Sequence, residues 1–250
     1  MYQEKANNIN NNHMKKQLAA MGMVFAMFTA TAQQKQVIAD ANAQQRNLTG
    51  FHAIKVSHAF DVVISQGNEE GVVVSAKNAE FRDKITTEVK DGVLIIGYEE
   101  KMWKGGNKNL KAYVSVKDLD QLTASGACDI SITGTLKAKE LSIVLSGASD
   151  LKGSVEAEFL SADLNGASDV SINGRVAGLK VEASGASDFK GYDLMAEKCD
   201  AKASGASDIK ITVNKELNAE ASGASGVSFK GSGVIKDVKS SGASSITRKG

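Results

Sequence analysis

Residues 146–150 read SGASD, and the same five letters return at 184–188 and 204–208. Near-copies stand around them: SGACD at 125–129, NGASD at 165–169, SGASG at 222–226 and SGASS at 241–245. The second-position glycines are Gly126, Gly147, Gly166, Gly185, Gly205, Gly223 and Gly242, spaced by 21, 19, 19, 20, 18 and 19 residues. A period that wanders by a residue or two marks a solenoid whose coils absorb small changes of loop length.

The letters after each phrase say what the coil is made of. The next residue is apolar every time: Ile130, Leu151, Val170, Phe189, Ile209, Val227 and Ile246. Two residues on, Ile132, Ile172, Ile211 and Phe229 repeat the preference. A second alternating stretch precedes the following phrase, as in ELSIVLS (140–146), FLSADLN (159–165) and LKVEAS (179–184). Alternation of period two is a strand with one face inward. Each coil is therefore expected to be two or three short strands joined by tight turns, with Ser-Gly-Ala-Ser as one turn. Leucine-rich and helical repeats are excluded by the missing LxxLxLxxN pattern and by the period. Strict six-residue units, the mark of left-handed β-helices, are absent. With right-handed crossover as the default for parallel strands, the fold expected is all-β, a right-handed parallel β-helix. One coil could not stand alone. Its few aliphatic side chains contribute about 1.5–3 kcal/mol each against roughly 1–2 kcal/mol of backbone entropy per residue.

Upstream, residues 49–124 form a less regular β portion of the same solenoid domain. FHAIKVSHAFDVVI (51–64) alternates, with Ile54, Val56, Phe60, Val62 and Ile64 on one face, and Lys90-Asp91-Gly92 is a hairpin signal. This portion is expected to cap the first coil and cover its open edge, ahead of the regular repeat at 125–250. Residues 33–48 read as a polar linker. From Met14, the expected true start, the chain runs MKKQLAAMGMVFAMFTATAQQ: two lysines, an apolar run and Ala-Thr-Ala. That is a signal peptide ending at residue 32, too short in its apolar run to span a bilayer. The mature chain is expected to be exported, with no integral membrane segment.

Composition narrows the functions. A net charge of +1 over 250 residues gives no field to attract nucleic acid. Hydrophobic residues make up 42%, enough for a continuous core. There is no proline, so turns must rely on Gly, Asn, Asp and Ser. The two cysteines, Cys128 and Cys199, fall about three rungs apart, roughly 14 Å at strand spacing. A disulfide needs Cα atoms within about 7 Å, so two unpaired thiols are expected, with Cys128 standing where other copies have Ser.

The order of a signal peptide, FHAIKVSHAFDVVISQG, DGVLIIGY, YVSVKDLDQLTASGACDI and serial SGASD phrases resembles the putative auto-transporter adhesin, head GIN domain family. The likeness covers residues 47–247. It implies an exported β-helical protein of the Gram-negative envelope, in the periplasm or on the surface, with adhesion as its role. It brings no catalytic residues with it.

The chemistry on offer is sparse. Asp129, Asp150, Asp169, Asp188 and Asp208 would form a ladder at about 4.8 Å spacing. Calcium wants six to eight converging oxygens, which a line of carboxylates does not supply. Glycosidases need two carboxyls whose pKa values separate, and repeated environments give little reason for that. The plain expectation is outward acids accepting turn amide protons, with Lys152, Lys190 and Lys210 as counter-charges. His52 and His58 lack the cysteines or carboxylates of a zinc site, and His58 is expected to be partly buried. KMWKGGNKNLK (101–111) is a cationic loop carrying the single tryptophan. The candidate ligand contacts are therefore the five aspartates with Trp103 and Lys104. No catalytic residue, cofactor or metal is expected. The function expected is a non-enzymatic envelope or surface adhesin or scaffold that binds glycans or envelope proteins. The alternative is a polysaccharide-degrading β-helix enzyme using the aspartate column. Such an enzyme needs a cleft walled by long insertions, and coils of 18–21 residues carry none.

Overall fold

The computed structural model describes residues 40–99 and 108–250. In chain order the elements are β1 (Gln44–Arg46), β2 (Ala53–Val56), β3 (Phe60–Gln66), β4 (Gly71–Ser75), a one-turn helix α1 (Ala79–Arg82), β5 (Ile85–Lys90), β6 (Val93–Tyr98), β7 (Leu110–Val116) and β8 (Gln121–Ala124). The repeat follows as β9 (Asp129–Leu145), β10 (Asp150–Leu164), β11 (Asp169–Ala183), β12 (Asp188–Ala203) and β13 (Asp208–Ala221), then β14 (Gly226–Lys230), β15 (Val234–Ser240) and β16 (Ser245–Arg248).

From β9 to β13 each strand pairs parallel with the next, phrase on phrase: Asp129, Asp150, Asp169, Asp188 and Asp208 share one register column. The result is a β-solenoid of about seven turns. Each coil is one bent strand broken only by its four-residue turn. The short strands expected from the sequence are fused, because ladder bonds to both neighbours continue around the corners. The corners show in the burial pattern instead. In β10, Leu151, Val155, Leu160, Ala162 and Leu164 point inward, and the parity slips between Ala157 and Leu160. Corners also absorb the uneven period. Between β9 and β10 the register jumps after Lys152, where Ile132–Gly134 stand opposite Gly153 alone. The long 21-residue coil thus spends its two extra residues at a corner.

The core is a set of columns along the axis. Ile130, Leu151, Val170, Phe189, Ile209 and Val227 are each at most 2% exposed, so the apolar residue after every phrase is inside except at the last coil. Phe189 is the outsized member. Gly191, two residues on, makes room for it: a Cβ there would lie 2.5 Å from the Phe189 ring.

The N-terminal portion enters the solenoid out of chain order. β3 pairs parallel with β9 on one side and β7 on the other. β2 likewise pairs with β8 and β6. The coil stacked against SGACD is therefore built from residues 53–66, not from the segment just before it. Beyond β7 come the antiparallel strands β4 and then β1, and beyond β6 comes β5. Strand β1 falls inside the stretch expected to be a polar linker, 33–48, so that part of the expectation is corrected. Its Gln44–Arg46 backbone pairs with Val72–Val74. The β5–β6 hairpin turns on Asp91 and Gly92 at φ 50° and 76°, the left-handed pair that a two-residue type I′ turn requires.

Candidate functional site

The phrase forms one edge of the solenoid, and each of its letters has a separate job. The glycine sits at positive φ, +85° at Gly166, which L side chains rarely adopt. Its carbonyl accepts the Ala N–H of the next coil: Ala148 to Gly126 at 2.7 Å, Ala167 to Gly147 at 2.8 Å and Ala186 to Gly166 at 2.7 Å. The fourth-position serines Ser149, Ser168, Ser187 and Ser207 are fully buried. Their hydroxyls satisfy the turn: Ser207 Oγ lies 2.7 Å from the Ser204 carbonyl oxygen and 2.9 Å from that of Ala183, its one proton shared between them, while the Ser204 N–H donates to it at 3.2 Å. Buried backbone groups must find partners, and this hydroxyl supplies them. Turn amides were expected to go to the aspartates. They go instead to the serines and to the coil-to-coil ladder, which explains why Gly226 and Ser245 can replace Asp without loss of the turn.

An eighth copy lies in β2–β3. Ser57-His58-Ala59-Phe60-Asp61 occupies the turn stacked on Ser125–Asp129: Asp61 is in register with Asp129, and the Ala127 N–H donates to the His58 carbonyl at 2.6 Å. His58 holds the glycine position at φ 79° and is exposed. The expectation of a partly buried His58 is thus overturned, because the chain bends there and throws the imidazole outward. Ser57 Oγ lies 2.9 Å from its Nδ1. The serine-alanine-aspartate frame at positions one, three and five was the signal that could have revealed this copy.

The aspartate column consequently has six members, beginning at Asp61, with Lys111 of β7 in register before it. The carboxylates face outward, and a groove of about 520 Å³ is lined by Asp61, Asp129, Asp150 and Asp169 together with Lys152 and Lys190. Of the three expected counter-charges, Lys190 alone pairs with column acids among the described residues. Its ammonium lies 2.6 Å from Asp169 and 3.6 Å from Asp188. The hydrogen bond to Asp169 raises the Lys190 pKa above its ordinary value, opposed by slight desolvation. Asp208 also lies on this column, beyond that pair.

Trp103 and Lys104 lie outside the described residues. Lys108, from the same cationic run, is not solvated: it is 4% exposed, with its ammonium 5.8 Å from the Phe81 ring centre and 5.7 Å from that of Tyr98. His52 Nδ1 pairs with Asp120 Oδ2 at 2.8 Å on the surface. Among the described residues no group of three or more His, Cys, Asp or Glu side chains converges to hold a metal.

Both cysteines are free and buried. Cys128 stands in the serine column, as expected, its Sγ 3.5 Å from the Ser125 carbonyl. Cys199 sits in a different column, between Leu179 and Leu217. Burial pushes both thiols up from their ordinary pKa, which disfavours the thiolate form.

The ladder makes a sharp prediction about calcium. Adjacent carboxylates repel by roughly 1 kcal/mol per pair at water's dielectric constant, tolerable on a solvated face. Thermal melts in chelator and in millimolar calcium are therefore expected to agree within about 2 °C. A fold using the ion at a hundredfold excess would gain about 2.7 kcal/mol, several degrees for a chain of this size. A shift of that order, abolished by Asp150→Asn with Asp169→Asn, would overturn the solvated reading.

Residues 50–233 match the model of the putative auto-transporter adhesin, head GIN domain family. Among solved structures the chain is similar to a putative adhesin from Bacteroides fragilis, with a TM-score of 0.75 and 19% identity over 83% of this chain and 96% of that one. It is similar to a putative lipid binding protein from Parabacteroides distasonis, at TM-score 0.65 and 18% identity over 84% and 96%. A putative adhesin from the same species follows at 0.64 and 17% over 82% and 96%. None of the curated proteins compared with the chain matches it. At these identities the solved structures establish the fold.

Proposed function

The chain belongs to the putative auto-transporter adhesin, head GIN domain family, and from that premise we propose that it is an exported, non-enzymatic adhesin or scaffold of a Gram-negative cell, in the periplasm or on the surface. It holds glycans or envelope proteins along the aspartate face of its solenoid. Export is supported by the signal-like stretch from Met14 to Ala32. No helix among the described residues is long and apolar enough to cross a membrane.

One observation carries the reading: outward carboxylates from Asp61 to Asp208 in a single register, beside the groove that Lys152 and Lys190 border. Repeated hydrogen-bond acceptors at a fixed interval suit a repeating ligand, since each further unit meets the same chemistry. The proposed contacts are Asp129, Asp150, Asp169, Asp188 and Asp208, with Trp103 and Lys104 as an aromatic and cationic addition. Those two come from the segment leading into β7, whose Lys111 continues the column.

The test is a glycan array with the exported protein, followed by the same array with Asp150→Asn and Asp169→Asn together. Binding is expected to fall at least about tenfold, a loss worth about 1.4 kcal/mol, while the melting temperature stays in place. No binding by the parent, or binding indifferent to the pair, would remove this face from the proposal. Steady release of reducing ends from a bound glycan, lost in the same variant, would favour the enzyme instead.

A further inference from the structure

The two ends of the solenoid are finished differently. At the N-terminal end β7 is covered by β4 and β1, and β6 by β5, all antiparallel. At the C-terminal end the last strand of its face, β15, pairs with β13 alone. Every residue of β15 is exposed, and three of the five exposed large apolar side chains among the described residues are there: Val234 at 60%, Ile235 at 45% and Val238 at 41%. Two of these, Ile235 and Val238, are core positions by register, while Val234 stands beside the outward Glu216. Ile235 stands beside Leu217 and Val238 beside Ala219, which are 0% and 2% exposed. The core is therefore cut open at β15, with a row of unpaired backbone donors and acceptors along its rim.

We propose that a second copy of this chain closes that end, β15 lying antiparallel to β15 about a two-fold axis at Val238. Head-to-tail stacking would meet β5, which runs against the solenoid strands, on one face and the three-residue polar strand β1, which runs with them, on the other, so it would not continue the parallel ladder on both faces. Two C-terminal ends remain, and a two-fold axis relating them reverses the strand direction. The charges choose the register. Outward Asp237 and Lys239 flank inward Val238. Centring the pair on Val238 sets Asp237 of each copy against Lys239 of the other and Lys236 against Ser240. Centring on Asp237 or on Lys239 would set like charge on like, which opposes pairing. Within one copy the Lys239 ammonium is shared between Glu220 at 3.2 Å and Asp237 at 3.1 Å, all on an exposed surface, so turning toward the second copy exchanges one surface ion pair for another.

Sedimentation velocity of the exported protein over roughly 1–100 µM is expected to show a dimer, within the ordinary range of homodimer affinities. Asp237→Lys should weaken it about tenfold, and Asp237→Lys with Lys239→Asp should restore it to within about threefold, because opposite pairs are re-formed across the axis. Val238→Cys should give a disulfide-linked dimer under oxidation, since directly opposed Cβ atoms lie about 4.5–5.5 Å apart. Circular dichroism melts of each variant separate dissociation from unfolding. A monomer throughout the range overturns the proposal. So does a dimer whose affinity ignores the charge reversal and whose Val238→Cys form does not cross-link. Glycan binding by the aspartate face is read independently, so failure here leaves that reading standing.

Discussion

Val170→Asp is expected to lower stability by about 4 kcal/mol or more, read as a large fall in the urea midpoint. Val170 is 0% exposed, wedged in its column between Leu151 and Phe189. The substitution forfeits about 1.5–3 kcal/mol of apolar burial and puts a carboxylate where no donor or cation can reach it. Asp169→Ser, one residue earlier, should cost less than about 1 kcal/mol, since it removes only a surface ion pair. That pair joins Lys190 and Asp169, whose side chains are 44% and 41% exposed. Because coils touch only their neighbours, loss at one can uncouple the two halves, so the Val170→Asp transition is expected to broaden as well as shift. Equal midpoints for the two variants would mean that the strand faces the other way.

The contrast between those neighbours was legible in the letters because the repeat poses the same question seven times. One Val-after-Asp could be a helix or a loop; seven apolar residues after seven phrases can only be an inward column. What escaped the reading shares a cause: it depends on contacts distant in sequence. His58 hides a phrase because the eye searches for glycine, and only the register of Asp61 on Asp129 exposes it. Lys108 reads as solvated charge in KMWKGGNKNLK, yet Phe81 and Tyr98 bring rings over it from other elements. The insertion of residues 53–66 beneath the SGACD coil is a matter of stacking order, which alternation does not encode. For the candidate site, the sequence located the aspartates and their outward face. It misassigned their partners, because a serine hydroxyl and a carboxylate can both accept from a turn amide. Burial decides between them: the serine points into the turn and the aspartate out to water.

The same distinction between local conformation and stacked neighbours underlies a second large effect. Gly166→Ala is expected to destabilise the protein by roughly 3 kcal/mol or more, although it adds one methyl to an exposed turn. Two penalties combine. At φ +85° an L residue pays about 1–2 kcal/mol for the left-handed conformation. The new Cβ would also lie 2.5 Å from the Gly147 carbonyl oxygen of the preceding coil, the atom that accepts the Ala167 N–H at 2.8 Å. Relief requires the coils to move apart at the turn, which stretches that bond and loosens the buried Ser168 beside it. Gly134→Ala separates the penalties. Its φ is +76°, but nothing lies within 4 Å of the added Cβ, so it should cost only the conformational part, about 1–2 kcal/mol. Urea melts of the two variants side by side measure the difference. If they fall together, the close approach of coils is not what demands glycine. If Gly166→Ala falls much further, the demand comes from the neighbouring backbone. His58 meets the same demand at the first turn without contradiction. It too has a left-handed φ, and the strands paired on its N-terminal side are β6 and β7, which carry no copy of the phrase among the described residues. Among the described residues, glycine stands wherever one phrase approaches the backbone of another before it, and His58 stands in the turn that opens the row.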